Sequence, residues 1–391
     1  MNLLTKNIII VLLVSISTGC IKTDKNEEFL EVPTYIEELK NVTIYNPNVK
    51  QTLSIKFISD QIFGNLDDVM VGIIGGVEVD VNGRVYLADT IQNTIHIYNT
   101  EGIYLANIGR DGSGPGEFRR IVYTEVDSDW LYAFDWAQQA IHLFSLDSFD
   151  VVSTITAAQN NDRIEGFEAI HQGEFFVRQD GTILMSFIQP RGADQIERHH
   201  FYLVNSRGEI ISEKIMEQTV VRFQYQLQVP GMIVVLPFYR KPLISILNND
   251  YILTVWTEEF LIKRFSPNGE YVSAVYYPFQ NVDIDINDLK NRYNSPHAIN
   301  AIQNADFSET TWPAIEDMLI DDENRLWVST IVEDFDIYEW WVLEETGELI
   351  TWFEWPRDEP IEVVRNGYMY TRQTDEDTGL QQVVRYRIEL N

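Results

Sequence analysis

Arg84 to Asn99, RVYLADTIQNTIHIYN, and Trp130 to Ser145, WLYAFDWAQQAIHLFS, superpose at a constant offset of 46 residues. Tyr86 falls on Tyr132, Asp89 on Asp135, Ile95 on Ile141, His96 on His142 and Tyr98 on Phe144. Two short runs of alternating, aromatic and β-branched residues in each copy read as strands, and a period in the forties reads as four strands per unit arranged around an axis.

Counting outward from this pair, a tight turn between the first and second strands is marked six times: Asn82-Gly83, Ser128-Asp129, Asp180-Gly181, Asn248-Asn249, Glu323-Asn324 and Asn366-Gly367. Asn-Gly and Asp-Gly suit the positive φ of such hairpins. A second kind of turn, between the third and fourth strands, recurs at Gly102, Gly208, Gly269 and Gly347, and without glycine near Asp147 to Phe149. The final unit stops at Asn391 after its third strand, so its fourth must come from elsewhere. Leu53 to Asp60, LSIKFISD, alternates as a strand should and precedes the first complete unit. The expected fold is therefore all-β, a six-bladed β-propeller closed by an N-terminal strand that completes the last blade and hides edges that would otherwise aggregate.

The first-hairpin turns lie 46, 52, 68, 75 and 43 residues apart, which puts the extra chain around the third to fifth blades. Val220 to Lys241 and Asn281 to Trp312 are the inserted segments, the second with a short helix expected over Ile286 to Tyr293. Long loops in a compact fold tend to bind ligands or cover sites. Both are expected on the face where outer strands lead into the next blade's inner strand. The basic residues Arg119, Arg120, Arg191, Arg222, Arg240 and Lys241 are expected around the axial channel, where they would suit an anionic ligand, and His297 lies in the second insertion.

The leader, residues 1–19, has one charge at Lys6, an apolar run from Ile8 to Val14 and small residues before Cys20. This is the layout of a secretory signal, too short in its apolar part to span a membrane. Ser17, Thr18 and Gly19 ahead of the chain's single cysteine resemble the lipobox of bacterial lipoproteins, which implies diacylation at Cys20. An ordinary leader would leave a lone thiol exposed to an oxidising compartment. Residues 20–44 are then a tether and 45–391 the propeller. The expected location is the cell envelope, lipid-anchored, with the body facing periplasm or exterior. A formal charge of −31 disfavours nucleic acid, whose phosphates need concentrated Lys and Arg.

GRVYLADTIQNTIHIYNTEG followed by IGRDGSGPGEF, together Gly83 to Phe118, resembles the NHL repeat, strongly over residues 77–145. DDENRLWVST, Asp321 to Thr330, is similar to a blade of six-bladed propeller lipoproteins from Bacteroidetes and related bacteria, with Asn324 in place of the usual glycine. The resemblance covers about residues 45–391 and implies the fold. In NHL-like repeats the aspartates at 89 and 135 cap the turn that follows them.

The triple glycine Gly112, Gly114 and Gly116 has no Lys-Ser or Lys-Thr after it, so it reads as a linker between blades and not as a phosphate loop. No nucleophile elbow occurs. The six histidines include none in a clear zinc pattern. Calcium is the cofactor that the acidic tips Glu333, Asp334, Asp336 and Asp375, Glu376, Asp377 would suit, although solvated hairpin tips explain them as simply. The expected activity is non-catalytic binding of a small molecule or protein, by a monomer, through the inserted loops. The rival is a metal-dependent lactonase or lyase with its site at the central channel.

Overall fold

The computed structural model describes residues 31–46, 49–64, 69–156, 171–189, 196–220, 224–226, 233–235, 239–291, 295–304 and 309–391. Its organising element is the tight hairpin after each inner strand. Gly83 (φ +78°) and Asn324 (φ +63°) hold the left-handed conformation there, the latter being a residue that tolerates it when glycine is absent. In two blades an aspartate locks the turn. Asp80 accepts from the backbone N–H groups of Asn82 and Arg84, from Arg84 Nε at 2.6 Å and from the Tyr86 hydroxyl. Asp321 does the same with Glu323, Arg325 and Trp327 Nε1. Asp127 makes a partial version with Tyr132.

The chain begins with α1 (Thr34–Glu37), β1 (Val42–Ile44) and β2 (Ile55–Phe63). Blade one is β3 (Ile74–Val79), β4 (Val85–Asp89), β5 (Thr94–Tyr98) and β6 (Tyr104–Ile108). Blade two is β7 (Ile121–Val126), β8 (Trp130–Asp135), β9 (Ala140–Ser145) and β10 (Val151–Ile155). Blade three is β11 (His171–Val177), β12 (Ile183–Gln189), β13 (Glu197–Val204) and β14 (Met216–Val220), followed by a small hairpin, β15 (Gln224–Gln226) and β16 (Ile233–Val235). Blade four is β17 (Pro242–Ile246), β18 (Ile252–Trp256), β19 (Leu261–Phe265) and β20 (Tyr271–Tyr276), with α2 (Ile286–Asn291) and α3 (Pro296–Asn304) after it. Blade five is β21 (Ile315–Ile320), β22 (Leu326–Ile331), β23 (Ile337–Leu343) and β24 (Leu349–Pro356), and the last sheet holds β25 (Ile361–Arg365), β26 (Tyr368–Thr374) and β27 (Gln381–Leu390).

The sixth sheet runs β2-β27-β26-β25, so the expected closure by both ends of the chain is present. Ile55 pairs with Leu390 and Phe63 with Val383, and Arg385 Nε donates to Asp60 at 2.7 Å. Each blade buries both faces against its neighbours, which is why β4, β5 and β22 are buried at every position instead of alternating. Six apolar cores result, one in each junction between successive blades.

Two features depart from the expectation. Residues 31–44, placed in the tether, are folded: β1 adds a fifth, parallel strand outside β20, and Ile36 is fully buried beside Leu261 and Tyr276. From there the chain runs along the rim, Tyr45 stacking on Tyr277 at 4.7 Å and the Thr52 and Leu53 N–H groups donating to Ile350 O on blade five, before entering blade six as β2. The N-terminal segment is thus a strap over three blades. The expected helix over 286–293 is α2, but a second helix, α3, follows it, with Ser295 O accepting from the Ile299 N–H.

Candidate functional site

The inner strands of five blades carry a bulge at nearly the same level, near Gly75, Val122, Gly173 to Glu174, Glu316 and Glu362; β17 of blade four pairs regularly. Bulges re-aim side chains and are frequent beside sites. Here the same five strands turn carboxyl groups toward the axis: Glu78, Glu125, Glu174, Asp317 and Glu362 all line one axial cavity of about 1160 Å3. Blade four contributes Ser245 and an apolar strand instead. Counting the mouth, eleven acidic residues and two arginines, Arg178 and Arg365, line the cavity among the described residues.

The mouth is ringed by first-hairpin residues, among them Val81, Ser128, Asp180, Asn248 and Asp322. It therefore opens on the face opposite the inserted segments, because those segments join outer strands to inner ones. Turn-to-turn bonds fix this rim. Asn248 N–H donates to Asn324 Oδ1, Asn366 N–H to Asp322 Oδ2, and Asn366 Nδ2 to Asp80 O. Arg178 pairs with Asp250 at 3.6 Å between blades three and four.

The five axial carboxyl groups face the cavity, Glu174 exposed and the other four half-buried, so the surrounding protein removes part of their hydration. Burial pushes Glu78 up to about 8, reinforced by the Glu362 charge and opposed by the Thr124 hydroxyl and Arg365. Burial also holds Glu125 well above the ordinary carboxylate range despite the Val177 N–H donating to it at 2.9 Å, and the charges of Glu78 and Asp127 add to that rise. Glu174, Asp317 and Glu362 are raised for the same first reason, Glu362 against a hydrogen bond from Arg372. At about 8, Glu78 is mostly protonated at neutral pH and gives up that proton more readily when a cation arrives. Tyr123, among them, is likewise raised by burial.

Among the described residues the predicted basic ring does not assemble. Arg240 is buried and its guanidinium is held by Glu258 and by Thr311 O at 2.8 Å. Lys241 Nζ sits 2.6 Å from Glu316; burial works against its charge, but Glu316 outweighs it and raises the ammonium. Both are neutralised by acids 18 and 75 residues away, a pairing invisible in local sequence. Arg119 and Arg120 are exposed on the linker between blades one and two, Arg119 reaching Ser113 and Asp111, and neither lines the cavity. Arg191, Arg222 and Cys20 lie outside the described residues. His297 is exposed on α3. Asp89 and Asp135 do cap their turns, through the N–H groups of Ile91 and Gln92 and of Ala137 and Gln138. They also reach the linker, at Gly72 and Arg119. Burial raises Asp89, but these donors and His96 bring it to about 2.

The acidic tips are local turn structures, with Asp334 accepting from the Asp336 N–H and Asp375 from Thr378. Among the described residues no group of three or more His, Cys, Asp or Glu is placed to hold a metal ion. Among them, too, no helix is long and apolar enough to cross a membrane. The axial acids had a sequence signal, since Glu78 and Glu125 occupy equivalent places in β3 and β7.

A family model described as a six-bladed β-propeller, DUF5128, matches residues 24–267. Among solved structures, a candidate exported protein of Bacteroides fragilis is 14% identical with a TM-score of 0.52, over 89% of this chain and all of that one. A DUF4221 member from Bacteroides vulgatus is 9% identical with a TM-score of 0.45, over 88% and 100% of the two chains. Virginiamycin B lyase from Staphylococcus aureus is 12% identical with a TM-score of 0.39, over 84% and 88%. None of the curated proteins compared matches this sequence.

Proposed function

The chain belongs to the DUF5128 family of six-bladed β-propellers, and from that premise we propose that it is a non-catalytic binding protein of the cell envelope whose axial cavity takes a small, positively charged ligand rich in hydrogen-bond donors. The observation that carries this reading is the convergence of five desolvated carboxyl groups on one cavity with a mouth to solvent. Such a lining disfavours the anionic ligand expected from the sequence. A cation entering it replaces the proton that Glu78, at about 8, carries near neutral pH, so binding releases a proton there.

Isothermal titration calorimetry in two buffers of different ionisation enthalpy tests this with spermidine, glucosamine and citrate. Spermidine or glucosamine is expected to bind with proton release, citrate is not, and Glu125→Gln is expected to weaken binding about tenfold. Binding of citrate in preference to the amines, or no binding by either amine at millimolar concentration, would sink the reading.

Anchoring belongs to the same proposal. The leader layout and the lone Cys20 support a diacylated lipoprotein, and the LADTIQNTI and GSGPGEF segments support NHL-type repeats in the first two blades. Mass spectrometry of the mature N-terminal peptide is expected to find acyl chains on Cys20, and Cys20→Ala to release the protein from membranes. The metal-dependent lactonase or lyase reading draws no support from the placement of the described acids and histidines.

A further inference from the structure

The second inserted segment builds a cavity that closing the ring does not require. It measures about 260 Å3 and lies between the α2 region and the tip joining β22 to β23. Val282, Leu289, Trp312 and Phe335 form its apolar wall, and Asp283, Asp285 and Glu333 stand around it with exposed side chains. Among the described residues no Lys, Arg or His is part of the lining. The Trp312 and Phe335 rings lie 4.6 Å apart, centroid to centroid. The same aromatic group already stacks one cation from the chain itself: the Arg357 guanidinium is 4.0 Å from the Phe335 ring and 4.3 Å from that of Tyr338.

An aromatic and aliphatic wall attracts an organic cation with an apolar stem, through dispersion and the negative face of the rings, and exposed carboxylates around it select positive charge. A volume below the roughly 300 Å3 of drug-sized sites suits a single side-chain-sized group. We propose that this cavity is a receptor for an alkylammonium or alkylguanidinium group, whose stem lies on Trp312 and Leu289 while the charged head sits among Asp283, Asp285 and Glu333. The group comes either from a free amine or from a lysine or arginine of a partner protein. The site is separate from the axial cavity and shares no lining residue with it.

The test uses full-length protein labelled with 5-fluorotryptophan, with the Trp312 resonance assigned through Trp312→Phe, and titrates n-butylammonium, N-acetyl-lysine methylamide and neutral n-butanol by fluorine NMR. Both cations are expected to move the Trp312 resonance saturably, and n-butanol at least tenfold more weakly. Asp283→Asn with Glu333→Gln is expected to weaken the cations at least fivefold; these side chains are exposed, and Asp285 is spared because it caps α2 through the Asn287 N–H. Calorimetry on the same two proteins gives the ratio without the label. Tighter binding of the lysine amide than of butylammonium assigns the group to a partner protein, and the reverse order to a free amine. Glu125→Gln is expected to leave this titration unchanged, which separates it from the axial site. No saturable shift, equal affinity for n-butanol, or unchanged affinity in the double variant would overturn the proposal.

Discussion

The junction between blades one and two and the junction between blades three and four are built from the same strand plan but packed very differently. The first contains twelve buried apolar residues, from Tyr86 to Leu146. Among the described residues the second contains three, Leu184, Phe201 and Ile252. This seam is completed by seven partly buried apolar residues, Phe176 and Phe265 among them, and by polar contacts at the rim, where Gln179 donates to Asp250 and Asn248 and Arg178 pairs with Asp250. The first junction follows a repeat legible at constant offset; the second follows an insertion, and the axial cavity is lined by both its blades. Strands on both sides of both junctions line that cavity, so it is the packing and not the site that distinguishes them.

Breaking the ring itself is expected to have the largest effect. A chain starting at residue 65 lacks β2 and leaves β27 an open edge, so it should show no cooperative thermal transition by calorimetry. Removal of residues 1–46 alone should lower the transition but keep it. Within the junctions, Ile95→Ala is expected to cost about 4 kcal/mol in urea unfolding and Ile252→Ala about 2 to 3 kcal/mol, because the second core has fewer fully buried residues around the cavity left behind. Equal losses would remove the distinction between the two seams.

The turn clamps sharpen the comparison. Leu247 and Tyr251 of blade four hold the places that Asp321 and Arg325 hold in blade five, as the turn hydrogen bonds show. Asp321→Ala removes the acceptor of three turn donors and leaves the half-buried Arg325 head only its pair with exposed Glu323, and should cost about 2 kcal/mol. Asp321→Leu combined with Arg325→Tyr, which writes the blade-four solution into blade five, should regain most of it.

Titration offers a smaller signal. Glu78 binds its proton more tightly folded, at about 8, than unfolded, so the stability it contributes is present at low pH and is lost as pH rises from about 4.5 to about 8. Glu78→Gln, which mimics the protonated group, should flatten that decline and raise the melting temperature at pH 8 while leaving it nearly unchanged at pH 4. The smallest effect is expected for Arg119→Ala, within about 0.5 kcal/mol, since its contact with Asp111 is solvent-exposed.

The blades were legible because turn residues mark each hairpin and the two-sided burial of the middle strands leaves continuous apolar runs. The strap was not. VTI in β1 is too short for a period to show, and its partner Ala274 lies far along the chain. Of the axial acids, Glu78 and Glu125 were signalled by their equivalent places in β3 and β7, whereas Glu174, Asp317 and Glu362 lie at or beside bulges that break the two-residue alternation. Arg240 and Lys241 looked available because Glu258 and Glu316 come from other strands and linkers. α3 carried its signal, Ser295-Pro296 at a helix start, and this went unread inside a polar insertion.

The pairing of β2 with β27 also sets an order of events. Arg385 and Asp60 are 325 positions apart, so the bond that latches the circle is among the most distant the chain makes. Until the final strand has left the ribosome, blade six has no partner for β2, and every earlier blade belongs to an open stack. Such non-local closure is slow. The circle therefore stays open until β27 is free to pair with β2.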